Sequence, residues 1–144
     1  MSDQPHVPPH GESSPNGPLA ARKSILIVDD DVEFAEALRP YLEDQGFEVD
    51  TASDGMIALG KIVARDYSVI VCDMIMPNMS GDKFYYQTER VRPHLLANFL
   101  FITGYHKDPR INAFIEDVSG LVLGKPIPLN VLMEGIRAVL DRQN

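Results

Sequence analysis

The sequence contains no tryptophan and a single cysteine, Cys72, among its 144 residues. One thiol cannot form an internal disulfide or a zinc site built from several cysteines, and its place in an apolar run predicts a small core residue. No apolar run approaches the ~20 residues that span a bilayer, and the N-terminus lacks the basic and apolar regions of a secretory signal. We therefore expect a cytoplasmic protein without membrane contact.

Basic residues are also scarce. The chain has 13 Lys and Arg against 21 Asp and Glu, which gives a formal net charge of -8. A surface of this charge repels the phosphates of nucleic acids, so we expect no nucleic-acid partner.

Residues 1–22 differ in composition from the rest of the chain. They are rich in proline, serine, glycine and histidine and have almost no apolar periodicity, which predicts a disordered tail. Apolar periodicity begins after Lys23, and the remaining length is typical of one domain. We therefore divide the chain into a tail, 1–22, and one folded domain, 23–144.

Four short apolar runs and one segment of alternating apolar and polar residues, 47–52, are separated by segments that have helical spacing, and a fifth such segment ends the chain. The alternation in 47–52 predicts an edge strand with one wetter face. Runs of four or five apolar and β-branched residues are typical of strands buried on both faces of a sheet. The predicted strands are 24–28, 47–52, 68–72, 99–102 and 121–123, and the predicted helices are 31–45, 54–65, 81–92, 109–117 and 129–142. This alternation predicts an α/β fold with a five-stranded parallel sheet, right-handed crossovers and helices on both faces.

Polar residues follow four of the predicted strands. Asp29 and Asp30 follow the first, Asp73 the third, Thr103 the fourth and Lys125 the fifth. The carboxyl ends of parallel strands meet at one edge of the sheet, where α/β proteins bind ligands. Neighbouring carboxylates repel one another, and a hard divalent cation, Mg²⁺ or Mn²⁺, would offset that repulsion. An ionised aspartate beside such an ion can attack a phosphoryl group, whose oxygens then need neutralising donors.

The residues at this edge match a known pattern. The segments 28–31, 73–77, 102–104 and 125–126 read Val-Asp-Asp-Asp, Asp-Met-Ile-Met-Pro, Ile-Thr-Gly and Lys-Pro, and Gly81 follows the second. In this order and spacing, the chain resembles the receiver domains of two-component response regulators over residues 23–142. The resemblance implies a flavodoxin-like, doubly wound fold with the strand order 2-1-3-4-5 of chemotaxis receivers.

The resemblance also implies a role for each polar residue. Asp73 would accept a phosphoryl group from a sensor histidine kinase or a histidine phosphotransfer protein, and Thr103 and Lys125 would bind the phosphoryl oxygens. A cis peptide bond is implied before Pro126. Such a domain is a signalling phosphoacceptor rather than an enzyme. The downstream protein target is unknown from the sequence, and a dimer formed on phosphorylation is an option that stays open.

The same resemblance implies a set of metal ligands. Asp30 and Asp73 would ligate Mg²⁺ directly, Asp29 would act largely through water, and Ile75 would contribute its backbone carbonyl. The alternative is that Asp29 and Asp30 only cap the first helix, a role that we expect for Asp31.

Three positions depart from the usual pattern of the family and are candidate switch or modulating residues. Many receivers carry Tyr or Phe three residues before the lysine, where this chain has Val122. Any output must then rely on backbone shifts around Thr103 and the fourth helix. The positions two after Asp73 and two after Thr103 are the bulky, non-acidic Ile75 and Tyr105. Attacking water is poorly placed beside them, which predicts a slowly hydrolysed phosphate.

The chain stops at Asn144, soon after the last predicted helix, so we expect a stand-alone receiver that binds a partner or passes phosphate on in a relay. One alternative is a degenerate receiver that binds partners without phosphate. Another is a Mg²⁺-dependent phosphohydrolase of the haloacid dehalogenase type. The phosphohydrolase needs a second aspartate where Ile75 stands, and the intact Asp73, Thr103 and Lys125 disfavour the degenerate receiver.

Overall fold

The strands and helices alternate along the chain as the apolar pattern predicts. The computed structural model describes residues 22–104, 108–118 and 121–143, so the predicted tail lies outside the described residues apart from Arg22. The strands are β1 (Ser24–Val28), β2 (Glu48–Ala52), β3 (Val69–Asp73), β4 (Phe99–Thr103) and β5 (Leu121–Gly124). The helices are α1 (Val32–Asp44), α2 (Gly55–Ala64), α3 (Gly81–Val91), α4 (Pro109–Asp117) and α5 (Leu129–Asp141).

The five strands form one parallel sheet in the order β2-β1-β3-β4-β5. This confirms the predicted α/β class and the strand order 2-1-3-4-5. The central strands β1 and β3 are buried along their whole length, because helices cover both faces of the sheet. β2 lies at one edge and buries only Val49 and Ala52.

Alternate residues of the strands contact two separate cores, one on each face. The first core takes its strand residues from Leu26, Val28, Ile70, Cys72, Phe99 and Phe101 and its helix residues from α2, α3 and α4. The second takes Ile25, Ile27, Val69, Val71, Leu100 and Ile102 and packs them against α1 and α5. The period of two along each strand therefore divides the helices between the faces. Cys72 is a buried core residue, as predicted.

Aspartate side chains begin three of the helices. Asp31 accepts a hydrogen bond from the Phe34 N–H at 3.0 Å, and Asp54 accepts one from the Ile57 N–H at 2.9 Å. Asp108 caps α4 in the same way. The predicted role of Asp31 as a helix cap is confirmed. None of the described helices has the length and apolar character needed to cross a bilayer.

One element was not predicted from the sequence. A 3-10 helix, Pro93–Asn98, precedes β4 where no element was predicted. Its buried Leu95 packs into the first core. Pro40 lies inside α1 and is exposed, and the helix continues past it to Asp44.

Gly81 allows α3 to begin directly against the end of β3. A Cβ atom at this position would lie 2.4 Å from the backbone oxygen of Asp73, closer than any carbon approaches an oxygen without bonding. The Gly81 N–H donates to the Met74 oxygen at 2.9 Å. The glycine therefore sets how closely the helix approaches the strand end.

Gly81→Ala should destabilise the fold by about 1–3 kcal/mol, because the new methyl group meets rigid backbone. Gly60→Ala is the matched control, since Gly60 lies on α2 with nothing within 4 Å of its Cβ position. That variant should be more stable than wild type by about 0.5–1 kcal/mol. Urea denaturation followed by circular dichroism measures both, and equal stabilities of the two variants would contradict the close approach.

Candidate functional site

The sheet register brings four of the predicted polar residues to one edge. Val28 pairs with Cys72, so Asp29 and Asp73 leave adjacent strands at the same level. Thr103 pairs with Gly124 across β4 and β5. The Lys125 N–H donates to the Thr103 oxygen at 2.8 Å, which places the lysine directly beyond the sheet. Residues distant in the sequence thus share one crevice, as expected for carboxyl ends of parallel strands.

Three carboxylates cluster at this edge. One oxygen each of Asp29, Asp30 and Asp73 lies within 4.8 Å of the others. Asp29 and Asp73 are 2% and 5% exposed, whereas Asp30 is exposed to solvent. The buried pair belongs to neighbouring strands, and Asp30 lies one residue further along the loop.

Lys125 is the cation that faces both buried carboxylates. Its Nζ lies 3.3 Å from Asp73 Oδ2, to which it donates a hydrogen bond, and 3.8 Å from Asp29 Oδ2. Asp29 Oδ1 accepts the N–H of Asp31 at 2.9 Å. Asp29 Oδ2 is buried and has no hydrogen-bond partner among the residues that the structure describes. One ammonium group therefore serves two buried carboxylates and leaves one oxygen unsatisfied.

Burial changes the acidity of both buried carboxylates. Burial, together with the smaller effect of the charge of Asp73, raises the pKa of Asp29 to about 6, although the Asp31 N–H and the charge of Lys125 lower it. Burial also raises the pKa of Asp73, while the charge and hydrogen bond of Lys125 lower it. Both groups thus lose solvation that a nearby cation would replace.

The donor set fits a hard divalent cation. It consists of carboxylate oxygens, which Mg²⁺ and Mn²⁺ prefer, and includes the unsatisfied Asp29 Oδ2. Asp30 is exposed and keeps one side of the cluster open, as Mg²⁺ requires to retain several waters.

The loop between β3 and α3 is held from the other side by the start of α2. Asn78 adopts a left-handed backbone conformation with φ 66°, and its side-chain amide donates to Asp54 Oδ2 at 2.6 Å. The Gly55 N–H donates to the Met79 oxygen at 3.3 Å. The sequence analysis missed Asn78. Its position directly after a proline was a signal for a turn residue that tolerates this conformation.

Two of the three switch candidates, Ile75 and Val122, belong to the part of the chain that the structure describes. Ile75 is 51% exposed in the loop after Asp73. Val122 is partly buried and packs against the first core. The Thr103 hydroxyl donates to the Gly104 oxygen at 3.1 Å. Tyr105 lies outside the described residues.

The peptide bond between Lys125 and Pro126 is cis. Beside it, a cavity of about 410 Å³ is lined by Phe34 and Asp31 of the first helical segment and by 125–127.

The sequence of this chain is similar to a known protein family and to known proteins. Residues 25–137 match the family described as the response regulator receiver domain. The chain is 32% identical over 124 residues to the transcriptional regulatory protein CpxR homolog of Haemophilus influenzae, covering 82% of this chain and 50% of that protein. The chain thus spans about half the length of that relative.

Two solved structures share the fold. The CheY-like response regulator receiver domain protein of Methanospirillum hungatei superposes with a TM-score of 0.74 at 28% identity, covering 85% of this chain and 96% of that chain. The chemotaxis protein CheY4 of Vibrio cholerae gives a TM-score of 0.68 at 26% identity, over 83% of this chain and 99% of that chain.

The raised pKa of Asp29 predicts a pH-dependent effect of Asp29→Asn in metal-free buffer. The folded protein holds this proton more tightly than the unfolded chain. The resulting stabilisation is complete below the ordinary pKa of 3.8 and is lost as the pH rises through about 6. Relative to wild type, Asp29→Asn should therefore gain about 2–3 kcal/mol between pH 4 and pH 8.

Urea denaturation at several pH values in the presence of a chelator measures this gain. Glu134→Gln, on the exposed side of α5, is the matched control and should show no comparable trend. A gain that is independent of pH would show that the carboxylate of Asp29 is not destabilised by burial.

Proposed function

We propose a function from one finding, which is that this chain belongs to the response regulator receiver domain family. Domains of this family act in phosphorylation-based two-component signalling and interact with histidine kinases, as phosphoacceptors rather than as enzymes. In this chain, Asp73 is the phosphoacceptor. The observation that carries the assignment is its buried carboxylate at the end of β3, hydrogen-bonded to Lys125 and adjacent to Asp29 and Asp30.

The proposed reaction is transfer from a phosphohistidine. A carboxylate oxygen of Asp73 attacks the phosphorus atom, a P–O bond forms, and the P–N bond to the donor imidazole breaks with its electron pair passing to nitrogen. Lys125 then neutralises charge on the phosphoryl oxygens, and the Thr103 hydroxyl leaves the Gly104 oxygen to donate to one of them.

The acidic cluster supports a metal requirement. Mg²⁺ or Mn²⁺ would be held by the carboxylates of Asp29, Asp30 and Asp73 and by the backbone carbonyl of Ile75. When bound, the ion would neutralise negative charge that develops on the transferring phosphoryl group. Because three carboxylates face one lysine, the charge of the site favours a cation before a phosphoryl group arrives.

The upstream partner is a sensor histidine kinase or a histidine phosphotransfer protein, and the downstream target is another protein. The formal charge of -8 disfavours direct contact with nucleic acid. A stand-alone role, passage of phosphate along a relay, dimerisation on phosphorylation and a cytoplasmic location all stay predictions. The close contact of Lys125 with Asp73 disfavours a degenerate receiver, and the residue at position 75 disfavours a phosphohydrolase.

Asp73→Asn tests the assignment. Wild type treated with acetyl phosphate and Mg²⁺ should gain the mass of one phosphoryl group, and Asp73→Asn should gain none. Asp141→Asn, an exposed change at the end of α5, should behave like wild type. Phosphorylation of the Asp73→Asn variant to the wild-type extent would place the acceptor elsewhere.

The phosphate on Asp73 should be lost slowly, because the exposed side chain of Ile75 cannot orient an attacking water. Ile75→Asn supplies a polar group at that position and should speed hydrolysis severalfold. Val63→Asn changes an equally exposed apolar residue of α2 and should have no effect. Loss of phosphate from wild type within seconds, followed by mass spectrometry, would contradict this prediction.

A further inference from the structure

Helix α4 has little apolar anchoring. Of its nine described residues, Ile111 and Phe114 are buried, whereas α5 buries five of its thirteen residues. The Phe114 ring packs edge-on against Tyr85 and Phe101 with centroids 5.4 and 5.3 Å apart. The partly buried Ile115 and Val118 also pack against the first core, and the polar contacts of α4 add to the stability that these few apolar contacts supply.

One polar contact of α4 is an ion pair with α3. The Arg110 guanidinium pairs with Oδ2 of Asp82. The carboxylate of Asp82 is almost fully buried, and its Oδ1 accepts a hydrogen bond from the Ser80 hydroxyl at 2.6 Å. Loss of the Arg110 contact would leave a buried carboxylate without its cation, which is more costly than loss of an exposed pair.

Asp82 is itself held against the phosphoacceptor strand. It directly follows Gly81, whose backbone lies against the Asp73 oxygen and whose N–H donates to Met74. Asp82 therefore cannot follow α4 if that helix shifts. The ion pair persists only while α4 remains beside the start of α3.

The start of α4 is also linked to the site through Thr103. The Thr103 hydroxyl donates to the Gly104 oxygen, and it must give up this acceptor to bind a phosphoryl oxygen. The chain then runs from Gly104 towards Asp108, the N-cap of α4. Three residues, 105–107, separate Gly104 from this cap in the sequence, so Thr103 and the helix end that carries Arg110 are close neighbours along the chain.

We propose that the Asp82–Arg110 ion pair restrains α4 in the arrangement that accompanies a free Asp73 carboxylate. Arg110 is then a positioning residue that opposes the phosphorylated state. The restraint rests on the geometry of α3 and α4, and its effect on phosphorylation rests on the proposed function. Because one partner is half exposed and the other buried, removal of the pair should shift the equilibrium by about fivefold.

Arg110→Gln tests the restraint with two measurements. The first is amide hydrogen exchange of residues 109–117 without ligand, which should be about fivefold faster than in wild type. The second is the affinity for beryllofluoride with Mg²⁺, a mimic of the phosphoryl group on Asp73, which should be about fivefold tighter. A purely structural defect would not increase the affinity for beryllofluoride.

Matched variants separate the ion pair from other effects. Arg90→Gln makes the same charge change at an exposed position of α3 and should leave both measurements at wild-type values. Arg110 Nη2 also lies 3.6 Å from Asp108 Oδ2. Asp108→Asn removes that second contact, keeps a capping side chain and should resemble wild type. Arg110→Lys keeps the positive charge, so its amide exchange and beryllofluoride affinity should stay close to those of wild type.

Asp82→Asn tests the pair from its other side, because an amide retains the acceptor for Ser80. It should match Arg110→Gln in both measurements, and the double variant should add little to either. Beryllofluoride affinity equal to that of Arg90→Gln, or weaker, would overturn the proposal, as would unchanged exchange in 109–117. Failure of wild type to bind beryllofluoride would overturn the proposed function and its link to α4, while faster exchange in Arg110→Gln would still support the restraint itself.

Discussion

The central constraint in this structure is the free-energy cost of burying two carboxylates side by side. Asp29 and Asp73 lose most of their hydration at the carboxyl ends of β1 and β3, and their like charges raise that cost. One lysine faces both and cannot offset two charges. A site in this condition favours any ligand that brings positive charge. The chemistry of the site is therefore a consequence of where the sheet places its acids.

The backbone around the acids is correspondingly rigid. Gly81 allows the start of α3 to lie directly against the end of β3. The Asn78 side-chain amide donates a hydrogen bond from the intervening loop to Asp54 at the start of α2. Because packing and hydrogen bonds fix the backbone beside Asp73, these surroundings need little reorganisation when the charge on its carboxylate changes. Helix α4 buries Ile111 and Phe114 and contacts α3 through the ion pair of Arg110 with Asp82. If that pair restrains α4 as proposed, this helix is where a partner would sense the state of Asp73.

Most of the fold and the grouping of the candidate site residues could be predicted because their signals are local or topological. Strand and helix bounds follow from runs of β-branched residues and from helical spacing, and caps such as Asp31 depend on residues three positions away. Strand ends of a parallel sheet converge whatever the side chains are. Asp73, Thr103 and Lys125 could therefore be grouped before any coordinate was known. The 3-10 helix Pro93–Asn98 had no such signal, because it is stabilised by packing of its own Leu95 into the core.

The sequence by itself determined the α/β class and the grouping of the candidate acids, threonine and lysine, since periodicity and chain order carry that information, and the strand order followed from the resemblance to receiver domains. Only the tertiary structure decided the degree of burial of neighbouring residues. Asp29 is enclosed and Asp30 is exposed although they are adjacent, because Asp29 directly follows β1 and its N–H still donates to the Ala52 oxygen of β2 at 3.0 Å, whereas Asp30 lies one residue further along the loop. Only the tertiary structure paired Arg110 with Asp82, since the two lie 28 positions apart in the sequence and no periodic pattern relates the starts of two helices on the same face of the sheet.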